Sequence, residues 1–410
     1  MRKTGSWLLT LMAFVAILII SSIGLSRNLE EDQSDLSLKF YPLNFDAAFN
    51  KVYKNIVHQH STAELKSLEE KIIAFLPTHA GDARLYSLLG EIKRLYGEQD
   101  QSYSAFDRAL QISKTEVTAL QWTIWRLIDE GKVLDALERI DVLFRRWPAR
   151  ITPLVPLVAE VFTQEDHYEK FLQKLNTNPP WRRSLINVLS RSPETLFLAA
   201  HLIQDLAKGE ALPSNNEIST IIAQLIRNKQ YSLAYQTFLF TLNSADKEVN
   251  GYIHNSRFIR PLSGRFFDWQ VASHTGIKIH FASQQNSGLN HGAQLTFSNT
   301  PVRRLSFGQY MALPPGMFQL SFEVSSQQSK LPKGLLWQIS CFENKKKLAE
   351  VNIGPGTYLL TTKIVTFTVP KDKCQLQSLQ LITKAIGENW NNRYSGYVMF
   401  DNISIIASDL

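Results

Sequence analysis

Hydrolysis of a glycosidic bond needs two carboxylates flanking that bond, one of them with a raised pKa. From Gly251 onward the sequence holds only 8 Asp and Glu residues. Asp268, Glu323 and Asp401 are those in or beside strand-like runs. Asp268 and Asp401 come from the first and last parts of this region, which a β-sandwich can bring together. No convincing pair emerges, so no catalytic residue is assigned. Each acid is expected to accept hydrogen bonds from backbone or arginine. Asp268, between Phe267 and Trp269, is expected to face outward among Arg257, Arg260 and Arg265, with the two aromatic rings turned to the core.

Other chemistries are poorly served. Of the 9 histidines, His58 and His60 form H-x-H, but residues i and i+2 do not share a helix face. His254, His274, His280 and His291 are scattered, and no H-E-x-x-H is present, so no metal site is assigned. The sequence has no G-x-S-x-G, P-loop, dinucleotide fingerprint or C-x-x-C, and no cofactor is expected. Its two cysteines, Cys341 and Cys374, are expected to form a disulfide in an oxidising compartment, the alternative being buried thiols. For ligand binding the best run is "ENWNNRY", with Trp390, Asn391, Asn392, Arg393 and Tyr394 between two strands. A tryptophan face can stack on a pyranose while amides and a guanidinium take hydroxyls or carboxylates. The alternative is a loop in which Trp390 caps the core. Trp269 and Trp337 are expected inside.

Two kinds of element must position these residues. From Phe45 to about Leu242 the pattern is helical, with Leu65, Leu68, Ile72 and Leu76 on one face. Tyr86, Leu89, Gly90, Gly97, Ser102, Phe106 and Ala109 then set a pattern. A shift of 34 residues places Leu120, Thr123, Ile124, Gly131, Ala136, Ile140 and Leu143 in the same slots, and Pro148 closes the unit. The glycines suit tight turns, and small residues such as Ala109 and Ala136 suit close helix approach. This resembles the tetratricopeptide family over about Asp82 to Pro148, departing from it at Lys114 and Ile124. The resemblance implies a stack that binds a protein partner, the alternative being helices that only support the next domain. Beyond Pro148 prolines break the register, and three or four degenerate helices are expected.

After Asn250 the helical period gives way to alternation. "MFQLSFEVS" sets Phe318, Leu320, Phe322 and Val324 against Gln319, Ser321, Glu323 and Ser325. Eight to ten such runs imply a two-sheet sandwich. Asn255 to Phe258, Phe267-Asp268-Trp269, Pro314-Pro315-Gly316 and Val398 to Ile403 together resemble galactose-binding-like jelly rolls found as carbohydrate-binding modules. That resemblance implies glycan binding without catalysis, and allows a structural calcium at Asp401. Asn255 and Phe258 are expected in its first strand, with Ser263-Gly264 its first turn.

The N-terminus places the chain. Arg2 and Lys3 precede an apolar run of 19 residues, Trp7 to Leu25, with Glu30, Glu31, Asp32 and Asp35 after it. At about 1.5 Å per residue the run spans roughly 28 Å, close to a hydrocarbon core. An uncleaved anchor is expected, the rival being a signal peptide. Both put the bulk outside the cytosol, which argues against nucleic acid as partner. The chain's +7 charge is concentrated after Gly251, where 16 Lys and Arg oppose the 8 acids, a surface suited to solvent or to anionic polymer.

The expected organisation is an anchor (1–26), a linker (27–43), tetratricopeptide-like repeats (44–148), a degenerate helical extension (149–249) and a β-sandwich (250–410). As a whole this resembles proteobacterial envelope proteins tied to surface polysaccharide. It implies a single-pass inner-membrane protein facing the periplasm, with an envelope protein as partner and an anionic or neutral polysaccharide as ligand. A scaffold, a pure assembly factor and a polysaccharide-modifying enzyme stay open.

Overall fold

The structure is a computed structural model describing residues 3–57, 62–161, 164–272, 275–285, 288, 290–302, 305–384 and 392–408. It divides into two compact units, Met1–Arg150 and Ile151–Leu410.

The first unit opens with α1, Lys3–Leu29, whose stretch from Leu11 to Leu29 is long and apolar enough to cross a membrane, with mean hydropathy 1.7. Residues 27–43 are not a linker. α1 runs past residue 26, and Ser34–Phe40 forms α2, which returns along it. Polar composition suggested a solvated tether, but these polar groups satisfy one another: Ser26 and Ser37 exchange hydrogen bonds, and Asn44 donates to Ser26.

α3 (Phe45–Val57) and α4 (Thr62–His79) come next. Val52, Leu68 and Ile72 pack with Leu85, Leu88 and Ile92 of the next helix, and Leu76 lies against them. α5 (Ala83–Leu95) and α6 (Gln99–Ile112) then recur, with a 34-residue offset, as α7 (Val117–Asp129) and α8 (Val133–Arg146). Gly97 and Gly131 each sit at positive φ between paired helices, +79° and +71°, where a side chain is strained. Gly90 matters for space: a Cβ there would meet the Phe106 ring at 2.6 Å.

The second unit begins with seven helices among its described residues, not three or four. They are α9 (Ile151–Val161), α10 (Glu165–Asn176), α11 (Arg182–Leu189), α12 (Pro193–Leu206), α13 (Asn215–Arg227), α14 (Tyr231–Phe240) and α15 (Ser244–Glu248). The prolines shorten helices without abolishing them. Pro193 opens α12, the position where its missing N–H is harmless. Ser214 and Glu217 close a capping box on α13. Compactness groups these helices with the sandwich, so 149–249 is not separate from 250–410.

Among the described residues ten strands make two five-stranded antiparallel sheets. They are β1 (Gln270–Val271), β2 (Ile277–Phe281), β3 (Ala293–Pro301), β4 (Phe307–Met311), β5 (Gly316–Lys330), β6 (Leu335–Cys341), β7 (Lys347–Ile353), β8 (Gly356–Val369), β9 (Gln377–Ile382) and β10 (Arg393–Ala407). The orders are β1-β4-β9-β6-β7 and β2-β3-β10-β5-β8, a jelly-roll sandwich. Phe318, Leu320, Phe322 and Val324 enter its core with Trp269 and Trp337. Cys341 and Cys374 form the expected disulfide.

The approach to the sandwich differs from expectation. Asn255 and Phe258 lie in a turn, both at positive φ (+53° and +58°), not in a strand. Asn255 is a clamp: its Oδ1 accepts Arg260 N–H, its Nδ2 donates to the Arg260 carbonyl, and its own carbonyl accepts the Trp269 indole. Trp269 joins the sandwich core. Phe267 turns instead to α14, 5.1 Å from Tyr235 and 5.5 Å from Phe238 between ring centroids.

Candidate functional site

Strand register builds a polar row on the first sheet. Core positions of β6 are Leu335, Trp337, Ile339 and Cys341, so Gln338 projects from the opposite face. Gln338 pairs with Gln380 on one side and Glu350 on the other, and Gln380 pairs with Gly308. Gly308, Gln380, Gln338 and Glu350 therefore lie side by side across β4, β9, β6 and β7, at the strand spacing of about 4.8 Å. Gly308 makes room for this: a Cβ there would meet the Gln380 amide nitrogen at 2.8 Å and the Leu379 carbonyl at 2.2 Å. Gln338, Gln380 and Glu350 are all half-buried.

Lys347 donates to Glu350 at 2.9 Å and Lys384 stands 3.8 Å away. The Lys347 hydrogen bond and charge, with Lys384, hold the Glu350 carboxyl below its usual range. One end of the face is walled by aromatic rings. Phe266 stacks on Tyr310 at 4.3 Å, Phe342 stands edge-on to Tyr310, and Tyr231 of α14 meets Phe342. Two amides, a carboxylate and an ammonium beside a partly exposed aromatic wall offer donors and acceptors to a polyhydroxylated ligand.

The row escaped sequence reading because register between distant strands is not written in either strand. Its only signal was a glutamine between two apolar residues in each of two runs, Gln338 in "LLWQISC" and Gln380 in "QSLQLI".

The residues singled out from sequence fall elsewhere. Trp390 and Asn391 lie outside the described residues, as do His58, His60 and His274. Asn392 is half-buried and Arg393 exposed, where β10 begins. Tyr394 does not belong to a ligand surface: it is 0% exposed, its ring packs on Phe297, and its hydroxyl donates to the Gly334 carbonyl. It is the second residue of β10, where strand parity points it inward.

Asp268 does not face outward. It is 1% exposed, and its carboxylate accepts from Ser263 N–H, Ser263 Oγ and Trp269 N–H. The arginines go elsewhere, Arg260 to Asp246 and Arg265 to Asn215 and the Thr241 carbonyl. Asp401 is also buried, its Oδ2 at 2.7 Å from His291 Nδ1 and 3.9 Å from Arg257 Nε, while Oδ1 finds no donor among the described residues. Calcium takes six to eight oxygens, so an imidazole and a guanidinium at this carboxylate do not fit it.

The first unit has surfaces of its own. Two adjoining hollows of about 610 and 600 Å³ share Asp100, Ser104 and Arg108 of α6. One reaches Ile73, Tyr86 and Leu89; the other ends at Arg126, which pairs with Asp107 and lies 4.8 Å from the Tyr103 ring. Their lining is mixed, with apolar, aromatic and charged groups of both signs.

No protein-family model and no curated protein matches the chain. Solved structures do. The carbohydrate-binding module CBM4 is 11% identical over 39% of this chain and 99% of that one, with TM-score 0.29. TmCBM61, solved with β-1,4-galactotriose, is 14% identical over 39% and 99%, with TM-score 0.25. An apo cyclase from Fischerella sp. is 13% identical over 38% and 96%, with TM-score 0.25.

Proposed function

We propose that the chain is a non-enzymatic scaffold anchored by α1 in the inner membrane of a proteobacterial envelope. In this reading the bulk faces the periplasm, α3–α8 form tetratricopeptide-like repeats that hold a protein partner, and the sandwich engages a polysaccharide during its production or export. The observation that carries the glycan part is the row Gly308, Gln380, Gln338, Glu350, with half-buried polar side chains in register on one sheet face beside an aromatic wall. The absence of catalysis is supported by Asp268, whose carboxylate is consumed by three local hydrogen bonds.

The test uses residues 151–410 on an array of bacterial polysaccharide fragments. Binding is expected, and Gln338→Ala with Gln380→Ala should weaken it roughly tenfold to thirtyfold, at about 1 kcal/mol per hydrogen bond. Loss on Trp390→Ala, with the glutamine pair neutral, would move the site to the 388–394 loop.

A second reading is a pure assembly factor. Its support is that the sandwich already seats protein on this sheet, through Tyr231 against Phe342. Silence across the array, with a partner captured by the same fragment, selects it. Turnover of a bound glycan that Asp268→Asn abolishes, with folding intact, would instead select an enzyme.

A further inference from the structure

α1 is longer than a bilayer core. Its 27 residues extend about 40 Å, against roughly 30 Å of hydrocarbon. Its upper end is polar and occupied. Ser26 and Ser37 are fully buried and mutually bonded, Asn44 donates to Ser26 and Glu30, Asn50 donates to the Glu30 carbonyl, and Arg27 pairs with Asp46 at 3.0 Å. Such a knot belongs outside hydrocarbon.

α2 runs antiparallel to this end. Ser26 faces Ser37, and one turn lower Ser22 Oγ donates to the Phe40 carbonyl at 2.5 Å. The charged start of α2, with Asp35 paired to Lys51, is thus turned away from the apolar stretch of α1, and its apolar end is turned toward it. There Phe40 is 41% and Leu43 79% exposed, and Leu25 of α1 is exposed one turn from Ser22. Ser22 is nineteen positions above Lys3, where α1 begins, or about 28 Å at helical rise. One hydrocarbon thickness above the basic N-terminus therefore ends at the level of Phe40.

We propose that the end of α2 and the turn after it form a foot on the membrane surface. In it Phe40 and Leu43 enter the interfacial zone of the leaflet that α1 exits, with Tyr41 and Lys39 at headgroup level. The occupant is lipid because the exposed patch is continuous with the lipid-facing surface of α1. Aromatic and lysine side chains at this depth suit the headgroup boundary. The foot and the serine–asparagine knot together hold the helical unit at a fixed height and tilt. This rests on reading α1 as a membrane span.

The experiment uses the full chain in vesicles of phosphatidylethanolamine and phosphatidylglycerol. Single spin labels are placed through Ile17→Cys, Phe40→Cys, Leu43→Cys and Leu134→Cys; the native cysteines are paired and do not react. Collision with oxygen reports lipid, and collision with a water-soluble nickel chelate reports solvent. Oxygen access with loss of nickel access is expected at position 17 and, at shallower depth, at 40 and 43, while 134 stays open to nickel. Lipid at 17 with nickel access at 43 overturns the foot and leaves the anchor. Lipid at 17 with 40 and 43 shielded from both reagents overturns it in favour of a protein cover. Nickel access at 17 removes the anchor, and the foot with it.

Discussion

Two helical regions of similar apolar content solve packing differently. α5–α8 repeat, with Asp82 and Glu116, one period apart, capping α5 and α7. Each helix there meets near-copies of itself, so length, turn and cap are held constant. α9–α14 have no constant offset, and α11 has 8 residues where α12 has 14. They pack on one another, and the last of them also meets the sandwich: Tyr231, Tyr235 and Phe238 of α14 contact Phe342 and Phe267. A repeat stays regular where its neighbour is a copy and drifts where its neighbour is something else.

The comparison breaks most strongly at Arg182. Both Arg182 and Glu217 are under 5% exposed; the guanidinium meets the Glu217 carboxylate and the carbonyls of Leu175, Ala211 and Leu212. One buried pair here links α11 to α13. Arg182→Ala strands a buried carboxylate and should cost about 3–5 kcal/mol. Urea unfolding of residues 151–410 measures this. Replacing both partners with methionine should recover part of the loss, and a loss for Arg182→Ala below about 1 kcal/mol would mean that the pair is not what joins these helices.

A smaller effect sharpens the other side. Gly90→Ala drives a Cβ to 2.6 Å from the Phe106 ring. Overpacking should outweigh the helix-propensity gain of alanine and leave a net loss of about 1–2 kcal/mol. Phe106→Leu in the same chain should return part of it, measured by thermal unfolding. If the two changes simply add, the close approach of α5 and α6 does not depend on this contact.

Legibility in the sequence divides along the same line. The repeat announced itself because one period governs turns, caps and core together. The sandwich did so through alternation, as in Phe318 to Val324, and the cysteines by being the only two in an exported-looking chain. Asp268 was misread because parity was applied to Phe267-Asp268-Trp269, which form a turn before β1 and have no strand parity. Asn255 and Phe258 adopt left-handed backbone that a side-chain pattern does not reveal. The 27–43 segment looked solvated because the partners of Ser26 and Ser37 are one another. The polar row needed the register of four strands, two of them far apart in sequence.

The smallest effect tests how the second region's helices are joined to its sandwich. His254 sits at that junction, edge-on to Phe238, with its backbone N–H and carbonyl held by the Gln309 amide. Burial depresses its pKa; Asp268 and Asp246 oppose this and Arg265 adds to it. The folded state therefore disfavours the protonated imidazole relative to the unfolded chain, which takes up a proton below its ordinary value of about 6.5. Stability from this group is complete above that pH. It is lost as pH falls from there through the depressed folded value, and is constant below it. His254→Gln removes the titration and leaves the backbone clamp to Gln309 intact. Denaturant midpoints of residues 151–410, taken from pH 8 down to 5, should fall more steeply for the native chain than for the variant. Parallel curves would show that the imidazole does not carry the acid sensitivity of this junction.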